Sequence, residues 1–260
     1  MQNMTLIEFI LAKPRSVWWV INDIVITTFK KVLKNWFEAI LFVLGFKNTI
    51  ILKFKNGSVK TCKNFREFLI EILKASLREG GIDIQLTNNL IKFRKNGKKI
   101  IFFYDSQKRL AATLYSIREQ FLLKEYKWLD IKGKNIVDIG GNIGDSAIYF
   151  AFKGAKHVYA FEPYPYSHNL AKKNIKLNKL QKKVTLFNEA IGAKKGFITI
   201  DEKYENVGAD DLKNFEKGKQ IKITTLDEIV KRLKVRHSVL KMDCEGSEYD
   251  AILNSSISTL

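Results

Sequence analysis

The run Leu240-Lys241-Met242-Asp243-Cys244-Glu245-Gly246-Ser247-Glu248 crowds three carboxylates and one ammonium into the end of an apolar stretch. Carboxylates placed at such a turn can orient an attacking group or take its proton, so Asp243 and Glu245, with Lys241 beside them, are the candidate catalytic residues. A plainer reading has Asp243 and Glu248 capping the next helix while Lys241 pairs with one of them. Function is favoured for Asp243 and Glu245. A second group lies about a hundred residues earlier, in Val137-Asp138-Ile139-Gly140-Gly141-Asn142-Ile143-Gly144-Asp145. Its glycines allow a ligand to approach the backbone closely at the start of a helix.

That loop has the look of a nucleotide site, yet it does not carry the dinucleotide fingerprint Gly-x-Gly-x-x-Gly. Counting from Gly140, Asn142 and Asp145 stand where the second and third glycines would fall. A nicotinamide or flavin cofactor is therefore disfavoured. S-adenosylmethionine brings no pyrophosphate to a helix N-terminus; it offers an amino-acid end, a sulfonium and a ribose, and acidic groups should surround it. Asp138 ends one apolar strand, and Glu162 ends the next in Val158-Tyr159-Ala160-Phe161-Glu162-Pro163, where a carboxylate can accept hydrogen bonds from both ribose hydroxyls. Asn188-Glu189-Ala190-Ile191-Gly192 follows a third strand, at the edge where open parallel sheets bind ligands, and its neighbourhood would hold adenine. Asn188 and Glu189 could equally be ordinary loop caps.

These groups need a scaffold, and the chain supplies an alternating one. From Asn135 the pattern runs strand to Ile139, helix Asp145 to Lys153, strand His157 to Phe161, helix Ser167 to Leu177 and strand Val184 to Phe187. Such alternation implies right-handed crossovers and a parallel sheet. Short strands at Gly196 to Ile200 and Gln220 to Ile223, a helix capped by Thr225 with Glu228, the strand Val239 to Met242 and a helix capped by Ser247 with Asp250 complete it. Ahead of this lie apolar helices up to about Phe46, two hairpins centred on Asn56-Gly57 and Asn96-Gly97, a helix capped by Asn64 with Glu67 and ended by Gly80-Gly81, and another beginning after Ser106. The expected organisation is an N-terminal helical and β-hairpin accessory region, 1–132, and a cofactor-binding domain, 133–260.

The bulk numbers exclude more than they assign. Hydrophobic residues at 46% and charged residues at 28% describe a folded globular chain, not a disordered or fibrous one. Only Cys62 and Cys244 are present and the three histidines stand apart, so no disulfide framework and no metal site is expected, and a reducing cytoplasm fits. With 45 Lys and Arg against 27 Asp and Glu, the net charge of +18 favours acidic partners, although scattered lysines more often form a solvated face. Val17 to Phe29 and Trp36 to Phe46 are apolar but too interrupted or too short to span a bilayer. Lys30, Lys31 and Lys34 beside Trp18, Trp19 and Trp36 would suit peripheral contact with an anionic membrane, and packing on the protein itself is the simpler outcome.

Val137 to Phe150, Phe161-Glu162-Pro163-Tyr164-Pro165, Asn188 to Gly192 and Lys241-x-Asp243-x-Glu245-Gly246-x-Glu248 together resemble the FkbM-type methyltransferase family. The resemblance covers roughly the last half of the chain, and the order of the blocks is more specific than any one of them. It implies the class I methyltransferase fold, a Rossmann-like, doubly wound, mostly parallel α/β sheet, with S-adenosyl-L-methionine as cofactor. The implied reaction is methylation of a hydroxyl on a small-molecule, sugar or lipid acceptor. By the same resemblance Asp138, Gly140, Gly141, Asn142, Gly144 and Asp145 form the cofactor loop, with Glu162 and Pro163 at the ribose. Asn188, Glu189 and Ala190 fall at the adenine, and Asp243 with Glu245 at the reacting end. Relatives often have Ala where Gly141 stands. An RNA methyltransferase is the alternative that the net charge supports, but the Asn/Asp-Pro-Pro-aromatic turn of many nitrogen methylating enzymes is missing at Asp243. The resembling fold would need about three more strands beyond Leu260, so the sheet is expected to be incomplete on its C-terminal side, and a non-catalytic binding protein is a third reading.

Overall fold

The computed structural model describes residues 28–204, 212–235, 237–244, 248–256 and 259. The chain divides into two compact units, one ending at Ile84 and the other running from Gln85 to Leu260.

In the first unit a helix α1 (Trp36–Val43) precedes a hairpin of β1 (Ile50–Lys53) and β2 (Val59–Cys62), and helix α2 (Phe65–Glu79) follows. The α2 start behaves as its sequence predicts: the Asn64 side chain accepts from the Glu67 amide at 3.0 Å, and the Glu67 carboxylate accepts from the Lys63 amide at 2.8 Å. Its end is equally local, because Gly81 takes a left-handed conformation (φ +76°) and the Ile82 amide donates back to the Leu77 carbonyl. Of the apolar stretch Val17 to Phe29, all but Thr28 and Phe29 lies outside the described residues, as do Trp18 and Trp19. No helix among the described residues is long and apolar enough to cross a membrane.

The second unit opens with an antiparallel sheet of β3 (Gln85–Thr87), β4 (Leu90–Lys95) and β5 (Lys98–Phe103), in that order. Asn96 and Gly97 both have positive φ, as a two-residue turn between right-twisted strands requires. Asn88 and Asn89 do the same one turn earlier, which adds β3, a strand the sequence reading did not anticipate. Helix α3 (Gln107–Ile117), capped by the Ser106 hydroxyl, runs directly into a π-helical turn, Arg118–Leu123, closed by Lys124 in the left-handed region.

The doubly wound sheet comes next: β6 (Asn135–Ile139), α4 (Asp145–Phe152), β7 (His157–Phe161), α5 (Pro165–Leu177), β8 (Val184–Phe187) and, after an excursion, α6 (Leu226–Leu233), β12 (Val239–Met242) and α7 (Glu248–Leu253). The strands are parallel and ordered β12-β6-β7-β8. Alternation sorts β6 by face: Val137 and Ile139 join a core with Phe161, Leu226, Ile229 and Val235, while Asp138 is buried toward the N-terminus of α4. Helix α5 starts two residues before the expected Ser167, because Pro165 at its first position has no amide to leave unsatisfied. The excursion holds β9 (Glu189–Ile191), β10 (Gly196–Ile200) and β11 (Lys219–Thr224), ordered β10-β11-β9, so the run read as a carboxyl-end loop at Glu189 is a strand paired with β11. The sequence boundary at 132/133 marks the entry to the parallel sheet; the compact units meet earlier, at 84/85.

Candidate functional site

The strand order reverses between β6 and β12, since the chain winds outward through β7 and β8 and then returns to the other side of β6. Adjacent carboxyl ends at such a point leave a crevice, and ligands of open α/β sheets bind there. Here those ends are Ile139-Gly140 and Met242-Asp243, tied by the Asp243 amide donating to the Ile139 carbonyl at 3.1 Å. A Cβ added at Gly140 would lie 1.9 Å from the Asp243 carbonyl oxygen, so the crossing is open only to glycine. Gly144 (φ +81°) likewise lets α5 approach, with Ala171 3.2 Å from where its Cβ would be. Gly141 has no such need, and its added Cβ would meet only ordinary contacts at 3.5 Å or more.

The loop spends its own hydrogen-bond donors. The Gly140 and Gly141 amides both donate to the Phe161 carbonyl at 3.0 and 2.9 Å, the Asn142 amide to Glu162 Oε2 at 2.7 Å, and the Gly144 amide to the Gly141 carbonyl at 2.7 Å. A pyrophosphate would find few donors and several carboxylates. Glu162, buried at the end of β7, also accepts from the Tyr164 amide through Oε1 at 2.9 Å. Burial raises its carboxyl to about 7 against these two hydrogen bonds and Lys241, which pull it down. Asn142 has a left-handed φ of +42°, which brings its amide onto that carboxylate.

Lys241 and Asp138 face each other across β12 and β6 in register. Their ion pair measures 3.2 Å, with the lysine side chain 6% exposed and the aspartate fully buried. The same ammonium donates to the carbonyls of Gly140 (2.9 Å) and Ile139 (3.2 Å) and lies 3.8 Å from Asp243. Burial pulls Lys241 down, and Asp138, Asp243 and Asp145 more than reverse it, so the ammonium is held charged. Asp138 takes a second bond from the Ser146 hydroxyl at 2.6 Å. Lys241 is thus a brace beneath the loop. Asp243 differs, for its side chain is 60% exposed at the rim. The Glu248 carboxylate accepts from the Cys244 amide at 2.6 Å, which ties the turn after β12 to the first residue of α7 rather than capping that helix. Burial and Glu248 push the Cys244 thiol up to about 12, which removes it as a nucleophile near neutrality. Glu245 lies outside the described residues.

The third anticipated block is placed less uniformly. Asn188 donates to the carbonyls of Glu162 and Pro163, both at 2.9 Å, and so fastens the chain leaving β7. Glu189 is held in a two-bond fork by Arg232 (2.8 and 2.9 Å), and Ala190 is buried in β9. The sequence reading missed a further contributor. Gln120, in the π-helical turn, donates to Asp145 Oδ2 at 2.7 Å, and Asp145 is the first residue of α4, directly after the glycine loop. Burial raises the Asp145 carboxyl, Lys241 opposing. Burial also raises neighbouring Glu119 to about 8; Tyr115 opposes by a hydrogen bond, and Glu125, Asp145 and Asp243 add to the rise. A polar residue at that helix end gave no periodic signal, because a π-turn shifts the register that amphipathic spacing relies on.

Residues 138–260 match the family model described as Methyltransferase FkbM domain. Over 70 residues the chain is 36% identical to a "putative protein N5-glutamine methyltransferase" of Methanocaldococcus jannaschii, covering 27% of this chain and 36% of that one. Among solved structures, a SAM-dependent methyltransferase from Agrobacterium tumefaciens aligns at 15% identity and a TM-score of 0.31, over 40% of this chain and 34% of that one. M. jannaschii TYW2 in complex with AdoMet aligns at 23% identity and a TM-score of 0.27, over 40% and 48%. The chain spans about a third of the length of the first two relatives. From Asp138 onward, where the braced loop begins, this chain carries a domain of the FkbM methyltransferase family.

Proposed function

We propose that this chain binds S-adenosyl-L-methionine through residues 133–260 and transfers its methyl group to a hydroxyl of a sugar, lipid or small metabolite. The observation that carries the reading is the glycine loop at the β6/β12 switch point, whose amides at Gly140, Gly141, Asn142 and Gly144 are already satisfied. Such a loop suits a nucleoside without phosphates, and the carboxylates of Asp145, Glu162 and Asp243 around it suit a cation. When bound, the cofactor supplies an electrophilic methyl carbon on a sulfonium. Each Glu162 oxygen already accepts one amide and keeps a lone pair for a ribose hydroxyl, and Asn188 holds Pro163 in place behind it. Asp243 is the exposed carboxylate at the rim, suited to orient an acceptor hydroxyl and take its proton; Lys241 acts through the loop as a positioning residue. The two free thiols suit a reducing, cytoplasmic setting.

One observation favours RNA as the acceptor instead. The segment 163–188 has no acidic residue and exposes Lys172, Lys173, Lys176, Lys179, Lys182 and Lys183. Methyl transfer from labelled cofactor to separate sugar, lipid and RNA extracts distinguishes the two. Label in the sugar or lipid fraction, lost in Asp243→Asn while calorimetry shows cofactor binding retained, is the expected result. Label confined to RNA would replace the hydroxyl reading, and no binding of S-adenosylmethionine at all would end both.

A further inference from the structure

The parallel sheet and its loop account for Asp138, Glu162 and Lys241 but leave a group of side chains ahead of them unused. Gln120 is 4% exposed, and while its amide nitrogen donates to Asp145 at 2.7 Å, its carbonyl oxygen is buried with no hydrogen-bond partner among the described residues. Leaving such an acceptor unmet costs on the order of 1–3 kcal/mol, so the position is built for a donor that arrives from outside. The groups around it say what kind. Glu119 is the preceding residue, and Tyr115, Glu125, Asp145 and Asp243 all act on it. Lys241 acts on Glu125 and Asp145 and is already committed to Asp138 and to the carbonyls of Ile139 and Gly140, and Arg118 of the same turn is buried and itself engaged. Glu119, Glu125 and Asp145 therefore gather near a point where a buried carbonyl oxygen awaits an N–H.

We propose that Glu119 and Gln120 of the π-helical turn, together with Asp145, form a cation subsite that receives the α-ammonium at the amino-acid end of the cofactor. This rests on the methyltransferase reading above. Asp145 directly follows the glycine loop, so a nucleoside lying along that loop with its ribose at Glu162 can present its amino-acid end here. The ammonium donates to the Gln120 carbonyl oxygen and to Asp145, completing the unmet bond. Glu119 responds by charge: largely protonated near pH 7 in the empty site, it loses its proton when a cation settles beside it.

The test uses the full chain and two stable probes that share the nucleoside: S-adenosylhomocysteine, which keeps the ammonium, and 5′-deoxy-5′-methylthioadenosine, which lacks the whole amino-acid end. Calorimetry at pH 7 in two buffers of different ionisation enthalpy gives affinity and proton count together. The expected result is more proton release with S-adenosylhomocysteine than with methylthioadenosine, the share common to both coming from Glu162 at the ribose. Gln120→Met should weaken S-adenosylhomocysteine roughly tenfold, one hydrogen bond to a charged group, and leave methylthioadenosine unchanged. Glu119→Gln, close in shape and so a guard against misfolding in the first variant, should abolish the excess release with S-adenosylhomocysteine. If both probes bind the unaltered chain and the variants weaken both equally, or neither, or the excess release persists in Glu119→Gln, the subsite is refuted while the methyltransferase reading stands. If the unaltered chain binds neither probe, that reading fails and the subsite with it.

Discussion

At the scale of single residues the site is governed by what can and cannot be placed at the β6/β12 crossing. Gly140→Ala drives a Cβ into the Asp243 carbonyl, 1.9 Å away, at a φ of +80°. It should lower unfolding free energy by ~2 kcal/mol or more, whereas Gly141→Ala should stay within ~0.5 kcal/mol, as urea titrations of the two variants can compare. Lys241 and Asp138 make a second pair of linked expectations. Lys241→Met strands a fully buried carboxylate with only the Ser146 hydroxyl, a loss of roughly 3–5 kcal/mol. Adding Asp138→Asn removes the stranded charge and should recover part of that loss, a coupling that a double-mutant cycle measures. Acid and base act on Glu119 and Glu162 in the same direction. Both carboxyls are raised in the folded chain, to about 8 and about 7, above the unfolded value near 4.5. Their contribution is therefore full below about pH 4.5 and is lost as pH climbs through 7 and 8. The urea midpoint should fall across that window, and Glu119→Gln should flatten its upper part.

At the scale of elements the sheet edges and caps decide how the site is held. Strand β5 would offer an open edge, and α5 closes it with side chains: Asn178 accepts from the Ile101 amide at 3.0 Å and donates to its carbonyl at 2.6 Å, as a neighbouring strand would. One turn earlier Asn174 accepts from the Phe103 amide at 2.7 Å and donates to the Ile143 carbonyl of the cofactor loop at 2.9 Å. Asn178→Ala should speed hydrogen exchange at Ile101 about tenfold or more and cost ~1–2 kcal/mol, with the loop at Ile143 little affected. None of this was legible beforehand, because an Asn on a helix surface looks like any solvated residue until the strand it closes is in place. What was legible had a local cause. The caps at Asn64 and Thr225, the helix start after Ser106, the Asn96-Gly97 turn and the apolar period of β6 and β7 are short-range signals, and the structure contains each of them. The strand ends were readable for the same reason, as Asp138, Glu162 and Asp243 lie in or just past the ends of strands whose parallel pairing follows from alternation; the burial of Asp138 against Lys241 was not. Glu189 was harder to read, since its partner Arg232 is 43 residues away and β9 is only three residues long. The π-helical turn was unreadable for the opposite reason: it breaks the period that a reader counts.

At the scale of the whole chain the question is where the cofactor-binding body begins. Sequence alternation puts its start at 133, but the compact unit begins at Gln85 and takes in β3 to β5, α3 and the π-helical turn. The difference has a physical basis in what those elements cover. Phe121 of the turn meets Phe93 of β4 and Tyr149 of α4 edge-on, at ring separations of 5.3 Å each, so the antiparallel sheet, the turn and the α4 face share one apolar seam. Gln120 satisfies buried Asp145, and Asn174 joins β5 to the loop. A fragment 133–260 therefore exposes the Tyr149 and Phe150 face and leaves Asp145 without its amide partner, while a fragment 85–260 keeps every one of these contacts. The longer fragment should unfold cooperatively and bind S-adenosylhomocysteine within about threefold of the full chain, because every residue assigned to the site lies within it. The shorter fragment should aggregate or melt without a cooperative transition. Cooperative folding and full binding by 133–260 alone would show that the segment 85–132 is dispensable, and would return the boundary to the place where the strands begin to alternate with helices.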